Sequence, residues 1–206
     1  MFSTILNNIP PDQIALLISL LLITGIFAGT IAGLFGIGGG VVIVPALYYI
    51  FTLAEIDEQF RMHLAVGTSL ANIIPTSIIS AYSHYQKKAV DFNLIKIVTP
   101  SLIIGVILGA LVVSNISGSI LMLIYAFLLF NIALLFFFWQ DRWQLGNIFP
   151  TNYLKHVYGT SIGFISTIIG IGGGSLSTPL LKIYNFEIHR AIGTAAGIGA
   201  VIAMPG

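Results

Sequence analysis

The residues of this chain best suited to chemistry are two dense glycine clusters. The first reads Gly36-Ile37-Gly38-Gly39-Gly40 and is followed by Pro45; the second reads Gly170-Ile171-Gly172-Gly173-Gly174-Ser175 and is followed by Pro179. Each glycine costs a helix roughly 1 kcal/mol against alanine, so four glycines within five positions mark an intended break. A helix that restarts beyond the break, near Val41 or Ser175, turns unpaired N–H groups and the positive end of its dipole toward it. Such an end suits a small anion. A dinucleotide-binding reading of the first cluster fails, because the third glycine of that fingerprint would fall on Val41 and no soluble strand-helix unit surrounds it.

A second pair of motifs follows each cluster. His63-Leu64-Ala65-Val66-Gly67-Thr68 is answered by His189-Arg190-Ala191-Ile192-Gly193-Thr194, at an offset of 126 (193 minus 67). The first copy continues into Ser69 and Asn72, and an amide inside a membrane span needs a partner. The matching position in the second copy is Ile198, so a polar site built here is asymmetric. The candidate substrate-binding set is therefore Gly36, Gly38, Gly39, Gly40, Thr68, Ser69 and Asn72 from the first copy. From the second come Gly170, Gly172, Gly173, Gly174, Ser175 and Thr194. Pro45, Pro179, Gly67 and Gly193 read as structural. The bland alternatives are that hydroxyls bond back to their own helices and that glycines serve helix packing. Packing is the reading for Gly25, Gly29 and Gly33, spaced by four.

The elements that must position these residues lie in a membrane. Of 206 residues 57% are hydrophobic and 7% charged, against about 25% charged in an ordinary soluble domain. The mean hydropathy is +1.01. Apolar runs such as Ile14 to Phe35 and Ile120 to Phe138 reach the length of about 20 residues that a spanning helix needs. They lack the alternation of a transmembrane barrel. The pattern predicts an all-α polytopic bundle with helices near 14–35, 41–53, 64–83, 94–113, 118–139, 153–170, 174–185 and 190–206. The stretches Thr52 to Arg61, Gln86 to Asp91 and Asp141 to Pro150 read as water-facing, and Trp139 and Trp143 as interfacial anchors. The first residues carry no Lys or Arg, so the first apolar run is expected to be retained rather than cleaved.

Counting helices as crossings places Arg61 on one side and the other seven basic residues on the opposite side. By the positive-inside rule the richer side is cytoplasmic and the amino terminus periplasmic, in a multi-pass inner-membrane protein. Re-entrant hairpins at the glycine breaks leave this parity unchanged. The expected organisation is a first repeat over 1–115, a linking helix and cytoplasmic loop over 116–150, and a second, inverted repeat over 151–206. Inverted repeats with interrupted helices are a recurring design of secondary transporters, with the site where the breaks meet. The counterpart of the fourth helix would fall near 220–239, so the second repeat reads as incomplete.

Other chemistry is sparse. The chain has no cysteine, no His-Glu-x-x-His spacing and no Asp or Glu deep in a predicted helix, which argues against a membrane enzyme and leaves metal sites and carboxylate coupling without candidates. His63 and His189 match across the repeats and sit at helix entries, His84 ends a span and His156 lies near a loop; interfacial structural roles fit them better than a proton relay. A passive anion channel and a non-transporting scaffold remain as alternatives.

The glycine-rich break followed by proline, the later Gly-Thr, and their duplication through an all-helical chain resemble the TauE/SafE sulfite exporter family of bacterial membrane proteins. The resemblance covers nearly the whole chain. It implies transport of sulfite, organosulfonates or related sulfur-containing anions, with no metal or organic cofactor. The partners implied are membrane lipid and a small anionic substrate, with no nucleic acid and with room for a homo-oligomer.

Overall fold

The computed structural model describes residues 11–35 (backbone only at 11–17 and 31–35), 39–138, 145–146, 149–150 and 153–206. Among them the chain forms eight helices: α1 (Pro11–Phe35), α2 (Gly40–Leu53), α3 (Glu58–Gln86), α4 (Phe92–Asn115), α5 (Gly118–Phe137), α6 (Leu154–Ile169), α7 (Gly174–Ile183) and α8 (Ile188–Ala203). Each agrees with a helix expected from the apolar runs. One boundary is corrected: α3 begins at Glu58, so Glu58 and Arg61 belong to its first turns rather than to a loop. The reason is a local cap, in which the Asp57 carboxylate accepts the Gln59 N–H at 3.0 Å. Asp91 caps α4 the same way, through the Leu94 N–H. Helices α3, α4 and α5 are each long and apolar enough to cross a membrane.

The helix ends repeat one device. Glu55, Lys88, Gly170 and Asn185 all take positive φ directly after a helix. In each case the next residue's N–H reaches back to the last turn: Ile56 to Phe51 O, Ala89 to His84 O, Ile171 to Ser166 O and Phe186 to Leu181 O. This closure satisfies the orphan carbonyls and reverses the chain sharply. Glu55 and Asn185 occupy matching places, after the short helix of each repeat.

Direction follows from the contacts. Along the α3–α8 interface Gly193 abuts His84, Gly199 abuts Ser77 and Gly206 abuts Leu70, so these two corresponding helices run antiparallel. Inverted repeats require this. The α4–α6 pair, the most extensive contact among the described helices, runs parallel: Gly159 meets Ser101, Gly163 meets Leu102 and Gly109 meets Phe164. Helix α7 then doubles back on α6, because Tyr158 near the start of α6 and Tyr184 at the end of α7 bring their hydroxyls within 3.0 Å. The second break is thus the tip of a re-entrant hairpin and not a joint between two crossings. Helix α1 packs on α2.

Each short helix carries its proline at the sixth position. Pro45 has no N–H for the Val41 carbonyl. The Tyr125 hydroxyl on α5 turns to that oxygen instead, at 3.3 Å. Two cores flank the glycine junction. One joins Val44, Leu47, Met62, Val66, Leu70, Leu121 and Ile169; the other joins Leu94, Val98, Leu102, Leu181, Ile198 and Ile202 at the end that holds the Lys87–Lys88 and 184–187 loops.

Candidate functional site

The two glycine breaks touch. A β-carbon on Gly40 would overlap the carbonyl oxygen of Gly170 and lie 2.8 Å from Ile171 Cα. Only glycine allows backbones this close. Gly170 itself takes φ +66°, and its carbonyl accepts the buried Ser69 hydroxyl at 2.7 Å. Ser69 therefore holds the second break against α3. Gly172 faces Ile73, and Gly173 lies against Ala195, Ile198 and the Gly199 N–H.

Beside the junction lies a cavity of about 390 Å³. Gly39 lines it from the first break and Gly172, Gly173 and Gly174 from the second. Gly39 and Gly173 are the N-caps of α2 and α7, and neither helix has a side-chain cap. The contrast with α3 and α4, both closed by aspartates, is physical: a glycine N-cap has no side chain with which to accept the first N–H groups of its helix. Their dipoles add positive potential at the same place. Helix α3 supplies one polar face, Asn72, Thr76, Ser77, Ser80 and His84, while Ile192, Ala195 and Ala196 of α8 stand across from it.

The hydroxyls on that face differ in what they can offer. Thr76 donates to the Asn72 carbonyl at 2.9 Å and Ser77 to the Ile74 carbonyl at 3.2 Å, which uses their protons within α3. Asn72, Ser80 and His84 keep side-chain donors for the cavity. Among the described residues no Asp, Glu, Lys or Arg lines it. Among the described residues no group of three His, Asp or Glu is placed to hold a metal ion.

The sequence-derived candidates separate accordingly. Asn72, Gly39, Gly172, Gly173 and Gly174 are brought together at the cavity, and Gly40 and Gly170 form the junction beside it. Gly36 and Gly38 lie outside the described residues, as do Trp139 and Trp143. Thr68 is one turn beyond Asn72 on an exposed part of α3 and does not line the cavity. Ser175 is buried in α7. Thr194 is fully buried and its hydroxyl accepts the Asp91 N–H at 3.0 Å, which fastens α8 to the start of α4. Gly193 is closely packed on the Ala89 carbonyl, whereas a methyl group on Gly67 would meet open space. His63 does what a helix-entry histidine was expected to do, with Nε2 3.1 Å from Val113 O and 3.2 Å from Ile116 O at the end of α4.

Two features were not anticipated. Gly25 and Gly29 do not pack against the described residues: no atom of these lies within 4 Å of a β-carbon built on either, and both line the cavity. Helix spacing identifies a shared face but not what faces it. The stripe Asn72-Thr76-Ser80-His84 was also overlooked, although its spacing of four was readable as one polar face in an apolar span.

Comparison with known proteins gives a consistent result. Residues 21–206 match the family model described as "Sulfite exporter TauE/SafE". A "Probable membrane transporter protein" of Haemophilus influenzae is 33% identical over 92% of this chain and 72% of its own length. A protein of the same description from Methanocaldococcus jannaschii is 31% identical over 90% of this chain and 69% of its own. One from Bacillus subtilis is 30% identical over 91% and 76%. No solved structure matches the chain.

Proposed function

The chain belongs to the sulfite exporter TauE/SafE family, and from that premise we propose that it is a secondary transporter moving a small sulfur-containing oxyanion, such as sulfite or a sulfonate, across the inner membrane. The observation that carries this reading is the opening of two glycine-capped helix starts, from matching places in the two repeats, onto one cavity. Each dipole end contributes about 0.3 to 1 kcal/mol when exposed and up to about 2 when partly buried. The Asn72 amide adds roughly 1.5 to 3 kcal/mol when it donates to a charged partner. Together these give a weak, releasable site. The substrate-binding set we assign is Asn72 with the backbone of Gly39, Gly172, Gly173 and Gly174.

The apolar core of Val44, Leu47, Met62, Val66 and Leu70 beside the glycine junction favours alternating access over a passive channel. In our reading the cavity communicates with the cytoplasm, because Lys87, Lys88, Lys182 and Arg190 lie at its His84 end. The chain has no native cysteine, so single cysteines report orientation cleanly. A cysteine replacing Lys88 is expected to label only from the cytoplasmic face and one replacing Glu58 only from the periplasmic face. Reversed labelling overturns the orientation.

The functional test is flux of sulfite, sulfate and an organosulfonate by the protein in proteoliposomes, with and without a pH gradient. Uptake against an anion gradient supports a transporter, and flux that never concentrates the anion supports a channel. Asn72→Leu is expected to raise the apparent KM for the transported anion about ten- to a hundredfold, the equivalent of one lost charge-assisted hydrogen bond. An unchanged KM removes Asn72 from the site.

A further inference from the structure

Among the described residues that line the cavity, one has a titratable side chain. His84 closes the polar face of α3, three turns from Asn72 or roughly 18 Å along the helix. Its ring is half-buried, and among the described residues no partner meets its nitrogens. The contrast with His63 is plain, since that ring is held between two carbonyls at the end of α4. The groups facing His84 are Lys87 beyond its own helix and His189 from α8. The nearby carboxylate, Asp91, is bound at 3.1 Å to Arg190 and also caps α4. The α8 residues opposite are Ile192, Ala195 and Ala196. An imidazolium at this position thus has no carboxylate of the cavity to pair with.

We propose that His84 is the proton-accepting, anion-selecting residue of the cavity, so that each bound anion brings a proton with it. The inference rests on the anion reading given above. A histidine is the side chain whose ordinary range, near 6.5, straddles physiological pH. When the anion enters, it is the counter-charge that the protonated ring otherwise lacks. Linkage then makes the effect reciprocal: protonation of His84 tightens the anion by the same factor by which the anion favours protonation. Coupling to protons needs no buried carboxylate in this scheme. The site would select an oxyanion that can be held at the Asn72 and helix-end donors while its charge is compensated from the mouth.

The test uses methanesulfonate, whose own charge is constant from pH 5.5 to 8, with the protein in proteoliposomes carrying a lumenal pH dye. Sulfate serves as a second probe under the same conditions. For the unaltered protein the apparent affinity is expected to rise at least fivefold from pH 8 to pH 5.5, with lumenal acidification accompanying anion entry. In His84→Gln the affinity should be flat with pH and the anion-driven acidification lost. His84→Lys, which keeps a positive charge throughout, should hold high affinity at pH 8 and also lack the pH dependence; it tests the same idea if the glutamine variant does not fold. Anion flux whose pH profile and proton movement persist in His84→Gln or His84→Lys overturns the role of His84 and leaves the anion site standing. Absence of saturable flux or binding of either anion in the unaltered protein, at every pH, overturns the anion reading and this inference with it.

Discussion

Gly40→Ala is expected to abolish transport and to lower thermal stability, although it adds a single methyl group. That methyl would overlap the Gly170 carbonyl and press on Ile171 Cα at 2.8 Å. Neither can retreat easily. Gly170 is fixed by its left-handed backbone and by the Ser69 hydroxyl, and a β-carbon there would itself meet Val66 backbone atoms at 3.1 Å. Overpacking a site with no flexible neighbour costs about 3 kcal/mol, and relief by separating the breaks would spoil the geometry of both helix starts. Gly39→Ala is the informative neighbour. Its methyl would lie 2.9 Å from Ile43 Cδ1, the far end of a flexible side chain, so it should fold normally. Thermal unfolding in detergent, paired with flux, checks both. A Gly40→Ala protein as stable and active as the parent would mean that the breaks do not meet.

The second large effect is expected at the parallel α4–α6 seam. A β-carbon on Gly105 would overlap the Thr160 carbonyl and lie 2.9 Å from Phe164 N, while Gly109, Gly159 and Gly163 make similar approaches. Small residues of this kind let helix backbones pack closely in a membrane, where lipid supplies no hydrophobic drive between helices. Gly105→Ala should wedge the seam open and tilt the α6–α7 hairpin with it, so little monodisperse protein should survive solubilisation. Gly25→Ala and Gly67→Ala, whose methyl groups meet open space, serve as controls. They should run as the parent does in size-exclusion chromatography. Equal recovery of Gly105→Ala would show that the seam tolerates more separation than its contacts imply.

Much of the architecture is local in origin and was therefore legible in the sequence. Hydrocarbon thickness sets helix length, so the apolar runs located all eight described helices. Glycine and proline act on their own backbone, so the doubled clusters marked the restarts at Gly40 and Gly174. The family, too, was visible in those motifs.

Partnership was not legible, because it depends on which other helix arrives. Ser69, Asn72 and Thr194 are equally polar in the sequence, yet Ser69 is bound to Gly170, Thr194 to Asp91, and Asn72 alone faces the cavity. Gly25 and Gly29 have the spacing of a packing stripe, yet among the described residues nothing packs on them and both line the cavity. A break followed by a helix is compatible with a straight crossing or a hairpin, and only the Tyr158–Tyr184 contact decides for the hairpin in the second repeat. The sequence by itself determined where the backbone must bend and that a membrane surrounds it, since both follow from residue composition over one helix length. The tertiary structure alone decided which polar groups remain unsatisfied, because a hydrogen bond to another helix is a property of two distant segments at once.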